Sequence, residues 1–212
     1  MADKIRFIPD QTDPARLYKL VAGLVVPRPI ALTSTVDAQG RANLAPFSWF
    51  NAIAADTPHL CLSIGEHPGG RTKDTLANIL STGEFVINAV GESIATRMDA
   101  CAREYPPDVD EFAATGLTPV PASLVRPPCV AESSAWFECR LVQALPLPRS
   151  SYTLVIGEAV AIHVDAGAID ARGRIDMAAL RNIGRLAGNA YCRLDQPFSL
   201  EHDSFNRYGP HP

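Results

Sequence analysis

The sequence predicts a mainly β domain with inserted helices, an antiparallel barrel or α+β arrangement rather than a doubly wound parallel sheet. Three observations predict it. Prolines number 18 of 212 residues and are scattered, so only two long stretches, 69–105 and 149–196, are free of them. Proline in a helix interior costs ~3 kcal/mol, which assigns any substantial helix mainly to the first stretch. The remaining segments hold β-branched and aromatic runs bounded by turn residues. These runs do not alternate regularly with helices, as a parallel sheet requires.

The elements follow in order. Ile30 to Val36 is β-branched and ends in Asp37-Ala38-Gln39-Gly40, which is turn chemistry. Ala42 to Ile53 is its expected hairpin partner, and Leu60 to Ile64 a third short strand. Pro46 removes a ladder donor, which places it at a sheet edge or a bulge. Thr72 to Leu80 reads as a helix: Thr72 is in position to cap it, Asp74 lies in its first turn, and Leu76, Ile79 and Leu80 fall at helical spacing. Glu84 to Val90 returns to strand. Ser93 to Arg103 is an amphipathic helix with Ile94, Met98 and Cys101 on one face, and Pro106 to Ala114 a short helical excursion ended by Gly116. After Pro119, Pro121, Pro127 and Pro128 come two long β-runs, Trp136 to Leu145 and Tyr152 to Val164.

Composition narrows the function classes. A net charge of -4 lacks the basic footprint of a nucleic-acid binder. The longest apolar run, Leu20 to Val26, is far short of the ~20 residues of a membrane-spanning helix. The N-terminal residues carry no apolar secretory core, and five cysteines without a CxxC pair read as reduced thiols. A cytoplasmic location is therefore expected. A chain of this length buries roughly 70% of its unfolded surface and needs no disulfide or metal staple.

Several familiar motifs are missing: GxGxxG, GxxxxGK[ST], GxSxG and HExxH. His59 and Cys61 share a strand face, yet no second pair completes a tetrahedral metal site. Glu201-His202-Asp203 reads as an acidic solvated tail. Pro68 to Thr75 is more informative. Its two glycines allow close backbone approach, and Arg71 and Lys73 put charge at a helix N-terminus beside threonine hydroxyls. That suits a phosphate, and it equally suits a capped surface helix with solvated cations. Phe47, Trp49 and Phe50 read, each by itself, as core or interface aromatics.

Pro27-Arg28-Pro29-Ile30, Thr33-Ser34-Thr35 and Asn43-Leu44-Ala45-Pro46-Phe47-Ser48 together resemble the flavin reductase-like, FMN-binding split-barrel family. That group includes flavoredoxins and the reductase components of two-component monooxygenases. Lys73-Asp74-Thr75, Gly83 to Asn88, Trp136 to Cys139, Val155 to Val160 and Arg185 to Tyr191 continue the resemblance in order. It spans residues 17 to 191, so residues 1–212 read as one domain with extensions at 1–16 and 193–212.

The resemblance implies a six-stranded antiparallel Greek-key split barrel, a homodimer, and FMN near the subunit interface. Pro27, Arg28 and Pro29 enter the site, and Thr33, Ser34 and Thr35 lie against the isoalloxazine ring, where hydroxyls at Thr33 and Ser34, or backbone N–H groups nearby, would stabilise the reduced flavin. Ala45, Pro46, Phe47 and Ser48 frame the ring and ribityl chain, with Ser63 close by. Arg71, Lys73 and Thr75 hold the phosphate, and Arg185 and Tyr191 approach the ring from one subunit or the other. Where relatives carry a histidine ahead of the Leu154–Gly157 strand, this chain has Ser150-Ser151-Tyr152-Thr153. The implied activity is NAD(P)H:flavin oxidoreduction, with hydride passing to FMN and electrons onward to a monooxygenase or another acceptor. The alternative is a flavoredoxin-like electron carrier that holds FMN and does not oxidise NAD(P)H. Neither reading requires a dedicated general acid.

Overall fold

The computed structural model describes residues 3–106 and 109–198, so Glu201-His202-Asp203 lies outside the described residues. Seven antiparallel strands form the main sheet. In chain order they are β1 (Ala31–Val36), β2 (Ala42–Phe47), β3 (Phe50–Ala54), β4 (His59–Gly65), β5 (Glu84–Ala89), β8 (Ala135–Pro146) and β9 (Tyr152–Val164). Two short ribbons flank it, β6 (Pro119–Val120) with β7 (Cys129–Val130), and β10 (Ile183–Arg185) with β11 (Tyr191–Arg193).

The strand order is β2-β1-β5-β8-β9-β4-β3. The two edges of this sheet are consecutive in the chain. The run Ala42 to Ile53, expected as one strand, bends at Ser48–Trp49, so that β2 pairs with β1 and β3 pairs with β4 at the opposite edge. The Ser63 amide donates to the Trp49 carbonyl at 2.8 Å and ties the bend to β4. Counted as one bent strand, β2 and β3 give the six strands of the expected split barrel. Pro46 sits opposite Leu32 on the edge strand β2, where its missing N–H breaks no ladder. The β1–β2 register is unbroken at Pro46, so the irregularity comes two residues later, at the bend.

Two apolar clusters lie on opposite sides of β1. Ala31, Leu62, Ile64, Phe85 and Val155 fill the barrel. Leu32, Leu44, Ile94, Met98, Phe112 and Val130 form a second layer over its outer face. All six residues of β1 are consequently buried.

Five helices are inserted: α1 (Pro14–Leu24), α2 (Asp74–Thr82), α3 (Ala95–Ala100), α4 (Glu111–Thr115) and α5 (Met177–Leu180). At 11 residues α1 is the longest among the described residues, and it lies before the proline-free stretch assigned to helix. Asp13 caps it, accepting from the Arg16 amide at 3.0 Å, and Pro14 occupies the first helical position. That position has no hydrogen bond to lose, so proline starts this helix instead of forbidding it. In α2 the expected Thr72 cap is not made. The N-cap position is Lys73, without a side-chain bond, while Asp74 stands in the first turn as expected. Gly83, at φ +71°, closes α2, and Gly116, at φ +70°, closes α4. All five cysteines are free, and no helix of the described residues is long and apolar enough to cross a membrane. His59 turns its Nδ1 to the Thr57 carbonyl at 2.6 Å.

Candidate functional site

Strand β2 and the bend after it carry two adjoining cavities. The larger, of about 350 Å3, is lined by Arg28, Pro46, Phe47, Ser48, Arg185 and Tyr191, among others. The smaller, of about 140 Å3, adjoins Ala45, Pro46, Phe47, Lys73 and Thr75. They share Pro46, Phe47 and Ala102, so the two lie side by side along β2, one at the N-terminus of α2 and the other at the β10–β11 ribbon, and together are called the β2 groove.

At the α2 end, Lys73 lines the smaller cavity and forms no ion pair among the described residues. Arg71 stands apart. It is outside both linings, its side chain is 54% exposed, and its guanidinium pairs with Asp74 at 3.2 Å. The Thr75 hydroxyl donates to Asn43 Oδ1 at 2.8 Å, and Asn43 Nδ2 donates to Glu111 Oε1 at 2.8 Å. Glu111 also accepts from the Leu44 amide at 3.2 Å. Burial pushes the Glu111 carboxyl above its ordinary value despite these donors. Burial likewise pushes the nearby Cys101 thiol up to about 11, leaving it an inert wall residue.

At the opposite end Arg28 is almost wholly enclosed, 5% exposed. Its backbone exchanges two hydrogen bonds with Arg185, at 2.9 and 2.8 Å, which fastens the β10–β11 ribbon to the segment leading into β1. Close packing of Gly184 on Pro27 completes the joint, since a Cβ at Gly184 would lie 2.7 Å from the proline Cβ. Arg185 donates to the Tyr191 hydroxyl and, at 2.5 Å, to the Gly188 carbonyl. The Tyr191 hydroxyl in turn donates to Asp99 at 3.0 Å. Burial holds the Tyr191 phenol above its ordinary value, with Arg185 pulling it down and the bond to Asp99 pushing it up.

The structure thus gathers Arg28, Ala45, Pro46, Phe47, Ser48, Lys73, Thr75, Arg185 and Tyr191 around the groove. It does not bring Thr33, Ser34 and Thr35 there: each is 0% exposed, Ser34 on the Leu32 face beneath the second apolar layer, Thr33 and Thr35 on the Ala31 face that turns into the barrel and toward α2. Ser34 donates to the Pro128 carbonyl, Thr33 to the Ala31 carbonyl, and Thr35 accepts from Asn78 at 3.0 Å. Thr35 therefore supports the network behind Thr75 and does not face a ring. Ser63 points outward from β4 between the buried Leu62 and Ile64, away from both cavities. Pro27 and Pro29 stiffen the entry to β1 without lining either cavity.

Tyr18, Ala22, Met98 and Asp99 also line the larger cavity, and no sequence motif singles them out. The first two lie on α1, whose signal is the Asp13-Pro14 pair. Met98 and Asp99 sit on α3, legible as an amphipathic helix but not as a wall of this groove.

The donor set suits a flat, phosphate-bearing heterocycle. Apolar Pro46 and Phe47 join a cationic end at Lys73 to a cavity large enough for a ring system and edged by polar groups.

The chain is similar to several known proteins. An uncharacterised protein of Aquifex aeolicus is 39% identical over 189 residues, covering 89% of this chain and 95% of that protein. The crystal structure of nitrilotriacetate monooxygenase component B from Bacillus cereus is similar at TM-score 0.90 and 33% identity, over 94% of this chain and all of that one. The 2-nitrobenzoate 2-nitroreductase NbaA of Pseudomonas fluorescens follows at TM-score 0.85 and 30% identity, over 95% of this chain and 98% of that one. The model of the flavin reductase-like domain matches residues 23–179, from the end of α1 into α5 and so across the whole barrel; the chain belongs to the flavin reductase-like family.

Proposed function

We propose that this chain is an NAD(P)H-dependent flavin reductase that binds FMN along the β2 groove. The observation that carries this reading is the pairing of a ring-sized cavity with a cation, Lys73, unpaired among the described residues, in the cavity that adjoins it along β2. Lys73 and the first turn of α2 would hold the phosphate, and Pro46, Phe47 and Ser48 the ring and its side chain. Bound flavin supplies two-electron redox chemistry; the protein supplies binding and orientation. Arg185, Tyr191 and Asp99 form a polar edge of the larger cavity, and they would orient the donor against the ring. Likeness to the Bacillus monooxygenase component makes a separate oxygenase the first acceptor to try. A homodimer belongs to the same reading, and sedimentation of the purified protein tests it.

The deciding experiment is anaerobic stopped-flow mixing of the FMN-loaded protein with NADH and with NADPH. Rapid loss of the flavin's visible absorbance with either donor is expected. If neither donor bleaches it while chemically reduced protein passes electrons to an acceptor, the chain is an electron carrier. A protein that ignores added FMN is neither.

A further inference from the structure

Arg28 carries a charge deep in the wall of the larger cavity, and none of its partners is an anion. Nη1 donates to the Ala22 and Val25 carbonyls at 2.5 and 2.8 Å, Nη2 to the Leu186 carbonyl at 3.1 Å, and Nε lies 3.4 Å from the Ser48 hydroxyl. The Trp49 ring lies 5.2 Å from its Cζ. Among the described residues no carboxylate pairs with it. Two of its acceptors are end carbonyls of α1, whose partial negative charge offsets only part of a full cation. The other charged groups of this cavity are Arg185 and Asp99, which face each other at 3.9 Å, with the Asp99 side chain 66% exposed. Tyr18 and Tyr191 complete the titratable lining. The cavity therefore holds one surplus positive charge, rigidly clamped and screened from water.

We propose that the buried Arg28 charge makes this cavity select the anionic, reduced state of a flavin over the neutral oxidised state. The inference rests on the function proposed above. A fixed cation in a dry wall acts far more strongly than one in water, and four partners hold it in place before any ligand arrives. Reduction delivers two electrons and one proton to the ring, and the surplus charge of the wall removes the need for a second proton, which stays in solvent. Of the groups expected to give such stabilisation, the hydroxyls of Thr33 and Ser34 and nearby backbone N–H groups, the two hydroxyls are enclosed and bonded elsewhere.

The test is spectroelectrochemical titration of FMN bound to the wild type and to Arg28→Lys and Arg28→Gln. As pH rises from about 5 to about 8 the wild-type midpoint should fall by ~30 mV per unit throughout, one proton per two electrons, including the acid side where free reduced FMN binds a second proton. Arg28→Gln should lose at least tenfold of the preference for reduced flavin, a midpoint lower by ~30 mV. Arg28→Lys, which keeps the charge and loses the fork of hydrogen bonds, should retain most of that preference. A wild-type slope of ~59 mV per pH unit, two protons per two electrons, overturns the proposal. So do equal shifts in the Lys and Gln variants, which mark a purely structural clamp. Should Arg28→Gln hold no flavin, the wild-type slope decides alone. A wild type that binds no flavin refutes the proposed function; one that binds it with the steeper slope refutes only the role of Arg28.

Discussion

Single residues at the phosphate end separate two cations that their sequence neighbourhood treats alike. Arg71 and Lys73 both precede α2, and both suit a phosphate by type and spacing. Only Lys73 lines the groove, whereas Arg71 is turned to solvent and already paired with Asp74. Lys73→Ala should weaken FMN by roughly ten- to a hundredfold, the loss of one charge-assisted contact of ~1.5–3 kcal/mol. Riboflavin, which lacks the phosphate, should bind the variant as it binds the wild type. Arg71→Ala should change FMN affinity by no more than about threefold, as for an exposed pair. Fluorescence titration of both flavins against both variants checks this, and equal losses for Arg71 and Lys73 would move the phosphate out to the glycine loop. The pattern of residue types locates this end of the groove, but which cation faces it depends on the turn into α2. There Asp74 draws Arg71 aside.

At the scale of elements, what decides the site is how strands meet. Most strands are legible because their signals are local: Trp136–Leu145 and Tyr152–Val164 return as β8 and β9 with ends shifted by a residue or less. The bend at Ser48–Trp49 is not legible, since its two halves are told apart only by partners far off in sequence, β1 and β4. The burial of Thr33, Ser34 and Thr35 is hidden for the same reason. The layer that covers Ser34 comes largely from residues 94–130, Thr33 and Thr35 turn to the barrel side, and no local pattern on β1 announces either. Barrel closeness is felt most at Gly157 on β9. A Cβ there would lie 2.3 Å from Phe85 Cζ and 3.3 Å from the Arg140 carbonyl, and Phe85 is 0% exposed. Gly157→Ala should therefore cost ~1–3 kcal/mol by overpacking, read as a lower urea midpoint. Combining it with Phe85→Leu should cost less than the two single changes added together, because the smaller side chain vacates the contested space. Strict additivity would show that the strand shifts instead of the ring.

Across the whole molecule, acidic side chains set how stability depends on pH, and one of them dominates. Glu138 is 0% exposed on β8, yet its carboxyl is held at about 2. Burial alone would raise it; the Ser123 hydroxyl and amide at 2.6 and 2.9 Å, the Leu124 amide at 2.6 Å and His163 Nε2 at 2.7 Å outweigh that. These bonds fasten the segment between β6 and β7 to the outer side of β8 and β9. A carboxyl depressed on folding contributes stability that is complete above its unfolded value and is lost as pH falls toward its folded one. For Glu138 the contribution is about 3 kcal/mol, lost progressively between roughly pH 5 and pH 2. Glu111, raised by burial, has the opposite sign: its folded form favours the proton, so it opposes folding once pH exceeds its unfolded value. Glu92 is also held at about 2, by Arg193 and Arg181, but on the open surface, where salt screens the pairs. Urea unfolding of the wild type and Glu138→Gln at neutral pH and near pH 3, each at low and high salt, separates these contributions. The gap between the two proteins should be widest at neutral pH, narrow by most of those ~3 kcal/mol in acid, and persist at high salt. A gap independent of pH would mean that the Glu138→Gln change removes only hydrogen bonds, and that the acid sensitivity of the fold is spread over its surface pairs.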